Sequence, residues 1–174
     1  MTKTDNSASS AKGHVSAFFV RNDGYTECIA DKDNMTMYAA ADAMAAAYAG
    51  DSSLVPKHVA FLYGDDDTPA DSFIDKSTKW ADVANSFEDS VTGFSYAPTL
   101  TSTGDEYARN AVVFHCRTEN IPDNKKVYKA CLLGKSVDGS EYSLLAIVDL
   151  GTDGAYKSKP EDFELSIDWT VKFR

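Results

Sequence analysis

The side chains with chemical potential in this sequence are three histidines, three cysteines and an excess of carboxylates. A hydrolase would set a histidine beside a serine or cysteine nucleophile as its general base. His14 lies beside a polar N-terminal stretch, His58 begins an apolar run and His115 lies inside another. None is accompanied by a GxSxG elbow, an HExxH helix or a local Cys-His signature. His115 and Cys116 are sequence neighbours, which in a strand places them on opposite faces. They form no dyad, and His115 reads as a structural histidine. Cys28, Cys116 and Cys131 have no CxxC or Cys/His ligand spacing and read as buried free thiols. A Cys116–Cys131 disulfide would need neighbouring strands, and a reducing compartment argues against it.

The carboxylates suggest calcium before anything else. Asp65-Asp66-Asp67 follows Gly64, but counting from Asp65 the sixth residue is Ala70 and the twelfth Lys76, where an EF-hand loop needs glycine and glutamate. A solvated acidic turn is expected instead. Asp31-Lys32-Asp33-Asn34 fails the same test and reads as helix capping. Glu164 and Asp168 share the wet face of one strand, as on any solvent-facing strand, and glycosidase pairing is a matter of separation in space. Gly64 and Gly104 are isolated, so no phosphate loop is present. Trp80 and Trp169 could stack on sugars, but Trp169 falls on the inward face of its strand. No catalytic, cofactor-binding or metal-ligating residue is assigned, and the chain is not expected to be an enzyme.

The elements that would position these groups are mostly strands. Residues 163–173 alternate faultlessly, with Phe163, Leu165, Ile167, Trp169, Val171 and Phe173 on one face and polar side chains on the other. That period of two predicts a half-buried closing strand with a solidly packed sandwich interior behind it. Residues 15–21 and 25–30 flank Asn22-Asp23-Gly24, a turn signal that predicts a hairpin, either at a sheet edge or reaching from the body. Residues 35–49 form an alanine-rich helix, started by Asp33, Asn34 or Thr36 and stopped by Gly50. Met37, Ala41, Met44 and Tyr48 would share its stripe, facing either the chain's own sheet or another subunit. Ser77 or Thr78 caps a short second helix carrying Trp80, Val83, Ala84 and Phe87 on one face, a lid over one end of the sheet.

Further strands are expected over 58–63, 91–97, 109–117, 127–133 and 142–150, with a polar loop over 100–105. Strands 109–117 and 142–150 are apolar on both faces, which predicts cover on both sides. Asp138-Gly139 is the strongest hairpin signal. The fold class is therefore mainly β: an antiparallel β-sandwich with one Ala-rich helix and a short second helix inserted in the N-terminal half. The domain organisation is a flexible arm over 1–13, a hairpin or extension over 14–34, and the decorated sandwich over 35–174. The 174 residues suit one such domain. A net charge of −10 argues against direct nucleic-acid binding. No apolar run is long enough to span a bilayer and no secretory signal is evident, so a reducing cytosol is expected.

One resemblance bears on function. The helix headed by Met37-Tyr38-Ala39 is followed by Pro56-Lys57-His58-Val59-Ala60-Phe61-Leu62-Tyr63-Gly64. Later come Asn110-Ala111-Val112-Val113-Phe114, Val127-Tyr128-Lys129-Ala130-Cys131-Leu132-Leu133, Leu144-Leu145-Ala146 and the closing Leu165-Ser166-Ile167-Asp168-Trp169-Thr170-Val171-Lys172-Phe173. Over residues 35–174 this order resembles small virion structural proteins of tailed bacteriophages. The resemblance implies a non-enzymatic component of a neck, tail, baseplate, fibre or head-decoration assembly, located in the virion and assembled in the host bacterial cytoplasm. Its implied partners are other virion structural proteins and copies of itself, a homo-oligomer with no direct nucleic acid and no membrane. The arm and the 15–30 hairpin would dock onto neighbours. The alternative is a β-sandwich ligand- or carbohydrate-binding module.

Overall fold

The computed structural model describes residues 12–69, 74–101, 111–135 and 141–173. The expected arm lies almost wholly outside them, as does the Asp138-Gly139 turn. The described residues form two five-stranded antiparallel sheets facing each other, with two helices, as the alternating patterns predict. The first sheet contains β1 (Lys12–Arg21), β2 (Thr26–Asp33), β6 (Thr99–Thr101), β7 (Ala111–Thr118) and β10 (Phe163–Lys172), in the order β2-β1-β10-β7-β6. The second contains β3 (Met35–Thr36), β4 (Pro56–Gly64), β5 (Thr92–Gly93), β8 (Lys126–Lys135) and β9 (Tyr142–Asp149), in the order β3-β9-β8-β4-β5.

The closing strand β10 sits in the middle of the first sheet, with β1 and β7 on its flanks. Its Leu165, Ile167 and Trp169 are fully buried between the sheets beside Val15, Ala17 and Phe19 of β1. Each such large apolar side chain contributes about 1.5–3 kcal/mol by leaving water. The hairpin of residues 14–34 is thus part of the sandwich rather than an extension from it. All ten residues of β1 pair with β10, so its backbone is committed to the chain's own sheet. The turn itself forms as predicted, with Gly24 at φ +90° and the Asp23 carboxylate accepting from Arg21 and from Tyr25 N.

The second sheet is the one covered twice. The helix α2 (Trp80–Phe87) lays Trp80, Val83 and Phe87 against its outer side, on Ala60, Cys131, Leu133 and Leu144. Ser90 fixes that helix end: its hydroxyl accepts from Phe61 N at 2.6 Å and lies 2.6 Å from Phe61 O. Strand β9 is covered on both faces as expected, but β7 is not. Its apolar Val113 shares the outer face of the first sheet with His115 and Arg117, and no described helix covers that face.

Several local expectations are corrected. Met35 and Thr36 form β3 rather than the first turn of the long helix, which as α1 covers Ala39–Tyr48. No side chain caps it: the helix begins at Ala39 with Tyr38 at its N-cap, beyond Asp33 and Asn34, which bond His14 and Trp169 instead. Its end is as predicted. Gly50 takes φ +88°, its N–H bonds Ala47 O and the Asp51 N–H bonds Ala46 O, a Schellman arrangement. The buried stripe is Ala43 with Ala39, Ala40 and Ala46 beside it; Tyr48 is 86% exposed. The second helix starts from Lys79, whose N–H donates to Asp82, while Ser77 and Thr78 bond Asp75 instead. The expected strand over 91–97 shrinks to Thr92–Gly93 because Pro98 ends it and Ser95 turns to β7; Thr99–Thr101 then pairs where a loop was expected. Cys116 and Cys131 are buried, free and in opposite sheets, whereas Cys28, on edge strand β2, is exposed.

Candidate functional site

Three places among the described residues bear on function. The first is the outer face of the first sheet. Register sets Asp31, Ser16, Asp168 and His115 in one row across β2, β1, β10 and β7, with Asp33, His14 and Thr170 in the next. His14 is held from both sides: Nε2 lies 2.9 Å from Asp31 Oδ1 and Nδ1 lies 3.0 Å from Asp33 Oδ1. Ionised carboxylate oxygens only accept, so making both bonds at once requires a proton on each ring nitrogen. Its pKa is raised by the bonds to Asp33 and Asp31. Asp31 is lowered by Ser16 and then His14, and Asp33 by His14. Ser16 Oγ donates directly to Asp31 at 2.7 Å, leaving no serine-to-imidazole bond of the kind a nucleophile needs.

His115 pairs through Nδ1 with Asp168 and stacks on Tyr96 at 5.1 Å between ring centroids. Arg117 pairs with Glu164 one step along. These groups bridge strands and neutralise one another. The row arises because one-residue alternation on four neighbouring strands puts every second side chain on the same face. Nothing local in the sequence marks it, because Ser16 and Asp168 meet across strands from opposite ends of the chain.

The second place is the acidic turn. Asp65 and Asp67 are engaged by Lys125 and Lys126, and the Asp66 carbonyl accepts from Tyr128 Oη at 2.8 Å. Two lysines already occupy the role a cation would have, and no group of three or more metal-ligating side chains occurs among the described residues. His58, on β4, packs edge-on to Tyr142 at 5.2 Å, and burial lowers its pKa. Both tryptophans are buried, Trp169 between the sheets and Trp80 under α2, so neither offers a sugar platform.

The third place corrects the expectation of a solid interior. At the end of the sandwich where β1 and β10 carry Gly13 and Val171, a cavity of about 480 Å³ opens between the sheets and α1. Ala43, Met44 and Ala47 form its roof, with Phe114, Leu132 and Trp169 below. Alanine supplies a single methyl group, so the helix roofs the space without filling it. Asn34 and Thr36 are polar side chains in its wall. Asn34 Oδ1 accepts from Trp169 Nε1 at 3.1 Å, and Asn34 N donates to Gly13 O at 3.1 Å. Gly13 is required here, because a Cβ on it would lie 1.8 Å from Asn34 Oδ1. Asn34 Nδ2 is buried and has no hydrogen-bond partner among the described residues.

Above the cavity, the outer side of α1 is also unusual. Ala41, Ala45, Ala49 and Tyr48 are exposed on it, Tyr38 at its start is 67% exposed, and Asp42 is the one charged residue in the helix. No described helix is long and apolar enough to cross a membrane. No family model matches this chain, and no curated protein or solved structure matches it.

Proposed function

We propose that this chain is a non-enzymatic structural component of a bacteriophage virion, assembled in the host bacterial cytoplasm with copies of itself and with other virion proteins. The observation that carries the assembly reading is the outward face of α1. A surface helix ordinarily turns charged residues to solvent. This one turns Ala41, Ala45, Tyr48 and Ala49, a thin apolar face of the kind that marks a protein contact. Alanines there allow a neighbouring backbone to approach closely. The polar rows on the first sheet support a scaffold rather than a catalyst, since the His14 and His115 rings are occupied by carboxylates on adjacent strands. A net charge of −10 favours partners other than nucleic acid.

The virion setting rests on the resemblance of residues 35–174 to tailed-phage structural proteins. It is tested by expressing an epitope-tagged copy in the producing host and recovering particles on a density gradient. Peptides of this chain in the particle band are expected. A chain confined to the free-protein fractions while particles form normally would overturn the reading.

A further inference from the structure

We propose that the outer face of the first sheet around Tyr96 is a binding site for a neutral carbohydrate. Tyr96 is 68% exposed, yet one side of its ring lies on His115, with 5.1 Å between centroids and 27° between planes. The chain leading to it is anchored. Ser95 N donates to His115 O at 2.9 Å, the Ser95 hydroxyl accepts from Arg117 N at 2.7 Å, and Phe94 packs on Phe114 at 5.2 Å. The ring is thus a preorganised platform with its far side open to solvent, and a tyrosine has only two torsions to fix. The C–H face of a pyranose is weakly positive and packs against the negative face of such a ring. Sugar hydroxyls then need donors and acceptors at the rim, and the neighbours of His115 supply both. Asp168, opposite His115 across the sheet, bonds it through Oδ1, and its Oδ2 has no hydrogen-bond partner among the described residues. Arg117, about 7 Å along β7, bonds Glu164 through Nε, and its terminal nitrogens have no partner among the described residues. Charge fixes the class of ligand. Asp31 and Asp33 are paired with His14, Asp168 with His115 and Glu164 with Arg117. An anion would meet four carboxylates, and a cation would have to displace a partner already in place. A hydroxyl both donates and accepts, so it adds bonds to this face without breaking an ion pair. Nucleic acid, which also stacks on tyrosine, is repelled by the same carboxylates. The site shares no residue with the assembly face on α1.

The test applies the fluorescently labelled full chain to an array of printed neutral and acidic glycans, then measures its affinity for the strongest neutral glycan by titration calorimetry. Wild type binds at least one neutral glycan above its signal on sialylated and sulfated ones. Tyr96→Ala weakens the titrated affinity at least about tenfold, the loss expected when one stacking ring is removed. Tyr96→Phe keeps the ring and stays within about threefold of wild type. Because the side chain is exposed, circular dichroism and the thermal midpoint of both variants stay those of wild type. Absence of wild-type signal on every neutral glycan, binding to acidic glycans alone, or equal affinity of Tyr96→Ala and wild type would overturn the proposal.

Discussion

Replacing Gly13 by alanine probes the joint between the two sheets at the open end of the sandwich. The added Cβ would lie 1.8 Å from Asn34 Oδ1, 2.6 Å from its Cγ and 2.7 Å from its Nδ2. All three nearest atoms belong to Asn34, so its side chain must swing away, and Trp169 Nε1 then loses its acceptor in a fully buried position. Leaving a buried donor unmade costs about 1–3 kcal/mol, and an off-rotamer side chain adds about 0.5–1.5 kcal/mol. The expected destabilisation is therefore about 2–4 kcal/mol, which for a domain of this size lowers Tm by roughly 5–15 °C. Urea unfolding of wild type, Gly13→Ala, Asn34→Ala and the double variant measures it as a cycle. With the asparagine truncated the clash disappears, and Gly13→Ala should cost less than about 0.5 kcal/mol in that background. Equal costs in both backgrounds, or a negligible cost in wild type, would refute the Gly13–Asn34–Trp169 linkage.

The His14 clamp predicts a two-sided pH profile. Its raised pKa contributes stability that is present below about pH 6.5 and is lost as pH rises through the folded value. The lowered Asp31 and Asp33 contribute above about pH 4 and lose that contribution as pH falls through their folded values. Denaturation midpoints across this range should show both flanks, and His14→Gln should flatten the alkaline one; an unchanged profile would argue against the clamp. Thiol labelling of the native chain should modify Cys28 quickly and leave Cys116 and Cys131 untouched until unfolding. Burial pushes the Cys116 thiol up to about 12 and raises Cys131 as well. Rapid native labelling of all three would contradict the packing of both cores. Ser90→Ala should cost about 1–3 kcal/mol by orphaning the Phe61 N–H beneath α2, measured by urea unfolding.

The alternation of 163–173 was sufficient to place β10, because a strand buried on one face writes its period directly into residue order. Gly24 and Gly50 marked a turn and a helix end for an equally local reason: each sits at positive φ. Asp33 and Asn34 misled as helix caps. Their side chains are claimed by His14 and Trp169, partners 19 and 135 residues away, and such long-range competition leaves no trace in neighbouring residues. Val113 misled in the same way, since an apolar residue on a strand does not reveal whether another layer covers it. The cavity was illegible because it belongs to the gap between β10, β8 and α1. The alanines that make α1 a strong helix also leave that gap open.

The proposed assembly runs through the outer face of α1. Analytical ultracentrifugation of wild type beside Ala41→Glu/Ala45→Glu tests it most directly. Both positions are exposed in the free chain and glutamate is a good helix former, so the fold should survive the change. Assembly through α1 predicts a discrete multimer for wild type and the 18.9 kDa monomer for the variant, with unchanged circular dichroism. A wild type that stays monomeric across the micromolar range, or a variant that assembles as wild type does, would contradict it.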